Sequence, residues 1–398
     1  MNWPTVKLKD EARLITKGTT PTTLGLKFLK EGIPFLRAQN LVDGSVSVAA
    51  DPIFISPETH DALRRSKIQP SDVLISIAGT IGRAAIVPND AVEMNCNQAV
   101  AIVRPSDRID RRFFLHWLSG SDALAQVTQS TVTGVISNLS LGQIGNLEVP
   151  LPSITEQRRI AAILDKADAI RRKREQTLAL ADELLRSVFL DMFGDLSKND
   201  RQWPSMALRS HILHSNNGLS RRRKVSENVG QIVLRIQDIK ANSIDFGQPN
   251  RIALDEKEMS RFELERGDVL FVRVNGNPDY VGRCTVFRGY SEPVCHNDHI
   301  IRLKMDDAYN PEFLSFLFNM DMGRQLLSNA IKTSAGQYTI SQDGINELRM
   351  PCPPPALQQR FQKLVSIVTR QRQKLEAAHA ESIDLLAALS QRAFAGDL

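Results

Sequence analysis

Asn277-Pro278-Asp279-Tyr280 is the stretch of this 398-residue chain that comes nearest to a catalytic motif. Adenine methyltransferases hold the target amino group with an Asn-Pro-Pro-aromatic stretch and bind their cofactor with a glycine-rich loop. Here Asp279 replaces the second proline, no glycine-rich strand-to-helix loop accompanies it, and Gly-Asn-Pro-Asp is typical of a turn. A Gly-x-x-x-x-Gly-Lys-Ser/Thr loop for ATP is missing, and Pro278-Asp279 is not followed by the nearby acidic-x-Lys element of the common nuclease constellation. The sequence therefore predicts no catalytic residue.

Residues that could hold zinc lie mainly in the second half of the chain. Their types fit at Cys284, Cys295, His296 and His299, and at the pair His211 and His214. However, Cys295 and His296 are adjacent and would point to opposite faces of a strand, and the chain has no Cys-x-x-Cys. We therefore expect no metal, and a structural or base-contacting role for these side chains.

Two polar clusters at matching positions follow apolar strands and could read the bases of DNA. They consist of Arg37, Gln39 and Asn40 in the first half, and of Arg235, Gln237 and Asp238 in the second. Arginine suits guanine, glutamine and asparagine suit adenine, and aspartate can accept from cytosine. In the alternative interpretation, the arginine is a structural ion-pair partner and the other side chains shape a turn. The sequence leaves both interpretations open.

Polar loops and basic runs supply further candidates for contact with phosphates or base edges. The hydroxyl-rich loops at matching places contain Thr131 and Thr133 in the first half, and Lys332, Thr333, Ser334, Gln337 and Tyr338 in the second. The basic run Arg221, Arg222, Arg223 and Lys224 lies in a polar loop and is predicted to bind phosphate. The run Arg171 to Arg174 lies within a helical pattern, where a solvated face is the usual role, but it could meet DNA phosphates if the helix lies along the duplex.

The chain repeats itself with a period of about 200 residues. The matching pairs are Trp3-Pro4 and Trp203-Pro204, Gly82-Arg83 and Gly282-Arg283, Asn97 and Asn297, and Leu147-x-x-Pro150-x-Pro152 and Leu348-x-x-Pro351-x-Pro353. So long a period indicates a duplicated domain, which gives pseudo-twofold symmetry within one polypeptide. Two similar but unequal readers suit duplex DNA. We accordingly add Arg83, Asn97, Gln98, Asn275, Arg283 and Asn297 to the predicted DNA-binding residues.

Each half begins with a mixed α/β domain that would position these side chains. Short apolar strands such as Asp72 to Gly79 and Asp268 to Asn275 are bounded by turn formers. A helical patch follows in both halves, over Arg111 to Leu118 and Pro311 to Phe318. We predict an α+β fold with similar domains at residues 1–152 and 196–354.

Each half ends in one long helix, over residues 153–195 and 355–398. Ser153 and Glu156 predict a capping box at the first helix, and Gly194 and Gly396 can end the two helices. A heptad seam is predicted at Leu357, Phe361, Leu364, Val368, Gln371, Leu375, Ala378, Ser382, Leu385 and Leu389. The first helix repeats its phase at Ile160, Ile163, Ala167, Ile170, Arg174, Thr177, Ala181, Leu184 and Val188. We expect the two helices to pair as an antiparallel coiled coil.

Composition is compatible with nucleic-acid contact but does not require it. The formal net charge is +5 and the pI is near 9.0. Because the chain has no signal-peptide core and no apolar run long enough to cross a membrane, we expect a soluble, cytoplasmic protein. Its four cysteines are too few and too scattered for a disulfide framework, in agreement with a reducing compartment.

The order of these motifs resembles the specificity subunit of type I restriction-modification enzymes. The resemblance rests on Ser71-Asp-Val-Leu74 and Gly267-Asp-Val-Leu270, the following Gly-Arg, the Asn-Gln or Asn-Asp pair, the Leu-x-x-Pro-x-Pro stretch and Glu156-Gln-x-x-Ile160. It covers the whole chain as target recognition domain, spacer helix, target recognition domain and spacer helix. The chain departs from the pattern at Leu357-Gln358, where the glutamate is missing, and at Asn275-Gly276, where extra residues precede Gly282.

The resemblance implies a subunit without catalytic activity that gives sequence specificity to its partners. Each domain would read one half of a bipartite, asymmetric site in double-stranded DNA, and the coiled coil would set the gap. Two methyltransferase subunits using S-adenosylmethionine would dock along the spacer helices, with restriction/translocase subunits using ATP and magnesium. No cofactor is expected on this chain. The rival hypotheses are a stand-alone divergent nuclease or methyltransferase, and a pseudo-symmetric protein-binding scaffold.

Overall fold

The computed structural model describes residues 3–129, 138–220, 229–334 and 336–398. These residues belong to two compact units. Unit 1 comprises Met1–Gln176 and Ala377–Leu398, and unit 2 comprises Thr177–Glu376. None of the helices in the described ranges is long and apolar enough to cross a membrane.

Unit 1 is a mixed unit of short strands and helices. Its elements are β1 (Thr5–Lys7), α1 (Leu8–Glu11), β2 (Ala12–Lys17), β3 (Ile33–Leu36), β4 (Leu41–Val42), β5 (Gly44–Val46), β6 (Phe54–Ile55), α2 (Pro57–Ala62), β7 (Lys67–Ile68), β8 (Val73–Ser76), β9 (Ala84–Ile86), β10 (Met94–Cys96), β11 (Val100–Pro105), α3 (Arg111–Leu118), α4 (Ser121–Gln129), α5 (Leu141–Gly145), β12 (Glu148–Pro150) and the first part of α6 (Ile154–Phe193). The strands form sheets in the orders β2-β11-β8-β9-β5-β4, β6-β3-β10-β7 and β1-β12.

Unit 2 repeats this plan. After the end of α6 come β13 (Ser205–Ala207), β14 (Ile212–Asn217), β15 (Gln231–Leu234), β16 (Ile239–Lys240), β17 (Ser243–Ile244), β18 (Arg251–Ile252), α7 (Glu256–Phe262), β19 (Val269–Val272), β20 (Val274–Asn275), β21 (Cys284–Val286), β22 (Val294–His296), β23 (Ile300–Met305), α8 (Pro311–Phe318), α9 (Asp321–Leu327), β24 (Ile331–Ser334), β25 (Gln337–Ile340), α10 (Gln342–Asn346), β26 (Arg349–Pro351) and the start of α11 (Pro355–Ala395). The order β14-β23-β19-β21 matches β2-β11-β8-β9, and β15 pairs in parallel with β22 as β3 does with β10. The predicted duplication and mixed α/β class are confirmed.

The shared Asp-Val-Leu motif places a buried carboxylate at the start of a central strand. Asp72 accepts from Gln69 N at 2.8 Å and is held by Arg104, whose Nε lies 2.7 Å from Oδ1. In unit 2, Asp268 accepts from Glu265 N at 2.7 Å and pairs with Arg302 at 2.7 Å. Each aspartate therefore ties a turn to the neighbouring strand, because a buried carboxylate needs both a charge partner and hydrogen bonds.

A buried glutamine fixes the start of each long helix. Gln157 accepts from Asp110 N at 2.7 Å and donates to Arg108 O and Pro152 O at 2.8 and 2.9 Å. Gln358 makes the matching bonds, accepting from Asn310 N at 2.8 Å and donating to Ala308 O and Pro353 O at 2.8 and 2.7 Å. The glutamine of Glu-Gln thus has the same structural role in both copies, although Leu357 stands in place of the glutamate in the second copy.

Within each unit, α6 and α11 pack antiparallel. In unit 1, Arg159 donates to Leu398 O at 3.3 Å and Arg174 donates to Ala378 O. Residue numbers therefore rise along α6 in the direction in which they fall along α11. In unit 2, Asp182 pairs with Arg372 at 2.7 Å and the ring of Phe189 lies 5.2 Å from that of Phe361. The predicted antiparallel pairing is confirmed within each unit.

The heptad phase is the same in both helices, as predicted, but the predicted seam is wrong by one residue at Leu184 and Leu385. Ile160, Val188, Phe361, Val368 and Leu389 pack in the core clusters, and Ala167 and Ser382 are buried. Leu184 and Leu385 are exposed, whereas the adjacent Leu185 and Leu386 pack in the core clusters. Ile170 and Gln371 are exposed as well, and of the adjacent arginines Arg171 is half-buried whereas Arg372 is exposed. Both arginines pair with carboxylates, Arg171 with Asp168 of the same helix and Arg372 with Asp182 of the other.

Candidate nucleic-acid interface

A polar cleft in unit 1 brings together three side chains predicted from separate stretches of sequence. Gln39, Arg83 and Asn97 line a cavity of about 340 Å³, with Gly79 and Thr80 beside them. Gln39 and Arg83 are exposed and Asn97 is half-buried. A guanidinium and two carboxamides around one concave surface can donate to and accept from base edges.

The Gly-Arg pair positions Arg83 on a tight turn between β8 and β9. Gly82 has φ 88° and donates its N–H to Ser76 O at 3.0 Å. Ser76 Oγ in turn accepts from Arg83 N at 2.9 Å. Because glycine adopts this left-handed conformation without strain, the turn leaves the Arg83 side chain on the surface of the cleft.

Asn97 is held by its own loop after β10. Its Oδ1 accepts from Ala99 N at 3.1 Å, and the neighbouring Gln98 side chain accepts from the hydroxyl of Thr20. Gly18 lies so close to the end of β10 that a Cβ on this glycine would be 2.0 Å from Cys96 O. Gly218 makes the same close approach to His296 O, so the loop geometry is shared by both units.

Of the three residues in the first polar cluster, Gln39 lines this cavity, whereas Arg37 and Asn40 do not. Asn40 is 1% exposed, accepts from Arg37 N at 2.8 Å and donates to Ser47 O at 2.9 Å, so it shapes the turn. Arg37 forms an ion pair with Asp51, which also accepts from Gln39 Nε2 at 2.7 Å. These contacts favour the structural role for Arg37 and Asn40, and leave Gln39 at the surface.

The second polar cluster has the same layout. Asp238 is buried and accepts from Arg235 N at 2.8 Å and from Arg235 Nη2 at 2.9 Å. Arg235 also donates to Gln248 O at 2.9 Å, whereas Gln237 is exposed. Here too the contacts favour a structural role for the arginine and its carboxylate partner, and the glutamine faces solvent.

A three-stranded sheet in unit 2, in the order β20-β25-β24, gathers several predicted residues. Asn275, Tyr338 and Thr333 are direct cross-strand partners and therefore share one face. Tyr338 packs against the core, whereas Thr333, Lys332 and Gln337 are exposed. The β24–β25 hairpin thus presents polar side chains to solvent, of types that can contact DNA phosphates or base edges.

The loop from Asn275 to Gly282 forms a platform under Arg283. Asn275 Oδ1 accepts from Asn277 N and Asn277 Oδ1 accepts from Asp279 N, both at 2.9 Å. The Arg283 guanidinium carbon lies 4.1 Å from the centre of the Tyr280 ring. The methyltransferase-like stretch is therefore an asparagine-capped turn whose tyrosine supports an arginine. Asn297, at the position matching Asn97, is half-buried and accepts from His299 N at 3.3 Å.

The remaining predicted contacts lie outside the described residues. They are Thr131, Thr133, Arg221, Arg222, Arg223 and Lys224, together with the side chain of Ser334. Their DNA-binding roles, like those of the predicted residues located above, stay predictions.

The cysteine and histidine candidates of unit 2 lie on several strands and loops of the unit. Cys284 and Cys295 are buried on β21 and β22, and burial raises the pKa of the Cys295 thiol to about 12. His296 donates from Nδ1 to Phe262 O at 3.1 Å, and burial lowers its pKa to about 4. His299 is exposed, and His211 pairs with Asp306 at 2.9 Å. Within the described ranges, no three His, Cys, Asp or Glu side chains are grouped to hold a metal ion.

Sequence comparison relates the chain to one family of proteins. Residues 1–180 match the family model for the type I restriction modification DNA specificity domain. The StySPI specificity subunit of Salmonella potsdam is 27% identical over 100% of this chain and 89% of its own length. The EcoKI specificity subunit of Escherichia coli K12 is 23% identical with the same coverage.

Solved structures share the fold at low sequence identity. One chain, from a study of complex assembly and conformational transition of the type I R-M system, superposes with a TM-score of 0.58 at 18% identity, covering 100% of this chain and 98% of that chain. The type I S subunit of M. genitalium superposes with a TM-score of 0.56 at 15% identity, over 99% of this chain and 96% of its own.

Proposed function

The chain belongs to the family of type I restriction-modification specificity subunits, and from this premise we propose that each of its units reads one half of a bipartite DNA site. Type I specificity subunits are non-catalytic, so methyl transfer and cleavage belong to partner subunits. The chain directs those partners to the site that it binds.

One observation supports the proposal that the chain has two units that each recognise a DNA half-site. Both units place an arginine after a glycine of positive φ, at Gly82-Arg83 and Gly282-Arg283, and an asparagine on a loop held by a close glycine, at Asn97 and Asn297. The side chains around these positions differ between the units. Equal scaffolds with unequal polar surfaces suit two different half-sites.

We extend the proposal to the partners and the gap. Two methyltransferase subunits carrying S-adenosylmethionine act with the chain, and restriction subunits supply ATP- and magnesium-dependent translocation and cleavage. The length of α6 and α11 sets the number of base pairs between the half-sites.

DNA binding and methylation assays test the proposal. The purified chain should bind duplex DNA with an affinity that falls as salt rises, because phosphate contacts release counterions. It should neither cut nor methylate DNA until a compatible methyltransferase subunit is added. Methyl transfer by the chain alone, in proportion to its concentration, would favour the stand-alone enzyme. Protein partners without any DNA binding would favour the scaffold.

A further inference from the structure

The loop before Arg283 is longer than its counterpart in unit 1 and is built differently. Gly82 follows Val73 by nine residues, whereas Gly282 follows Val269 by thirteen, so the second loop has four extra residues. The extra length contains Tyr280, which is 43% exposed and lies under the Arg283 guanidinium. Unit 1 has no aromatic residue between Val73 and Gly82, and within the described part of that unit no ring stacks on Arg83, which lines the cleft.

A second arginine holds this loop from below. Arg324, on α9, donates from Nη2 to Pro278 O at 2.6 Å and from Nη1 to Val281 O. Burial lowers the pKa of Arg324, and the nearby Asp279 carboxylate opposes this effect. Gly282 has φ 75°, and a Cβ there would lie 2.9 Å from Leu327 and 3.1 Å from Arg324 Nη1. The turn beneath Arg283 is therefore fixed at both ends.

Stacking orients the Arg283 guanidinium and leaves its N–H groups available for a ligand. Its face is stacked on Tyr280, and across the described residues no hydrogen bond or ion pair occupies its N–H groups. Stacking restricts the plane of the guanidinium while its edge keeps several donors in a fixed fork. The chemistry that matches such an edge is a pair of acceptors in one plane.

Two parts of DNA offer paired acceptors, namely a phosphate and the O6/N7 edge of guanine. A phosphate contact needs charge but no fixed plane, as flexible lysines show, whereas bidentate pairing with guanine needs the plane of the guanidinium to be set. We propose that Arg283 is the guanine-reading side chain of unit 2 and that Tyr280 is the residue that positions it. This inference rests on the proposed function of unit 2 as a reader of one half-site.

The test uses the chain in complex with its methyltransferase subunits. The wild-type complex methylates a library of duplexes with randomised positions, and sequencing of the methylated products gives the base preference at each position. With Arg283→Lys, the charge remains but the planar fork is lost. Preference for guanine should fall about ten- to a hundredfold at one position of one half-site. Tyr280→Ala should weaken the same preference, and Tyr280→Phe should restore it because the ring is retained.

Matched controls separate this role from a general effect on folding or affinity. Tyr290 is 45% exposed and stacks on Phe246 at 4.0 Å in the same unit, so Tyr290→Ala removes a comparable ring and should leave the preference unchanged. Arg83→Lys lies in unit 1 and should leave that guanine position unchanged.

Three results would overturn the inference while leaving the proposed function intact. In the first, Arg283→Lys weakens methylation equally on all sequences, as for a phosphate contact. In the second, no guanine position responds to it. In the third, Tyr280→Phe behaves as Tyr280→Ala does. A wild-type complex that yields no bipartite motif would instead contradict the proposed function itself.

Discussion

At the scale of single residues, we expect the buried glutamines at the starts of the two long helices to contribute strongly to the free energy of unfolding. Gln157→Ala removes three hydrogen bonds and leaves the Asp110 N–H without its acceptor. We expect a loss of about 2–4 kcal/mol in the free energy of unfolding. Glu156→Ala is the neighbouring control, because Glu156 forms an exposed ion pair with Arg159 and should contribute less than about 1 kcal/mol. Urea titrations of both variants measure this, and equal losses would refute the assigned role.

His296 should make the stability of unit 2 depend on pH. Its pKa is about 4 in the folded chain, against a usual value of 6.5, because the imidazole is buried. Between these values the unfolded chain binds more protons, so the free energy of unfolding should fall as pH falls from about 6.5 to about 4. The slope from this residue reaches about 1.4 kcal/mol per pH unit. His296→Gln should flatten the curve from urea titrations across this range, and a curve of unchanged slope would contradict the assignment.

The sequence predicts candidate site residues from their type and spacing. It does not predict which of them are buried, because burial depends on contacts between distant parts of the chain. Matching spacing found Gln39, Arg83 and Asn97, which the structure brings to one cleft. The same spacing could not separate Gln39 from Asn40, because burial of Asn40 depends on its bonds to Ser47 and Arg37. The bond from Asp110 N to Gln157 likewise joins residues that are far apart in the sequence, so no local pattern reveals their proximity.

At the scale of elements, the two adjacent leucines of α6 test the corrected heptad seam. Leu185 is 8% exposed and lies in the core of unit 2, whereas Leu184 is 54% exposed. Leu185→Ala should lower the free energy of unfolding by about 2–4 kcal/mol through the cavity that it leaves. Leu184→Ala should change it by less than about 0.5 kcal/mol. Urea titration of the pair measures both, and the reverse order would restore the seam predicted from the sequence.

Helix positions were predictable because their signals are local. The patches over Arg111–Leu118 and Pro311–Phe318 are helical over those residues, and Gly194 ends α6 in a left-handed conformation. The seam was harder, because Leu184 and Leu185 are equally apolar and both fit steps of three and four. Which of them is buried depends on the partner helix, whose register the sequence does not contain.

At the scale of the whole molecule, the long helices provide a test of how the gap between half-sites is set. Deleting one heptad from each helix, Ala167 to Lys173 and Val368 to Lys374, preserves both seams. It shortens each helix by about 10 Å, roughly three base pairs of B-DNA. The complex with methyltransferase subunits should then prefer a shorter gap, measured by methylation of oligonucleotides with the same half-sites at a series of spacings. An unmoved optimum in a folded variant would mean that the helices do not set the gap.

The most direct measurement replaces one reader and keeps the other. Residues 1 to about 150 are exchanged for the first domain of a homologous specificity subunit, and the hybrid is combined with methyltransferase subunits. Sequencing of methylated DNA then gives the motif before and after the exchange. Because each unit reads its own half-site, one half of the motif should change, while the other half and the gap stay the same. A change in both halves, or in the gap, would contradict the assignment of one half-site to each unit.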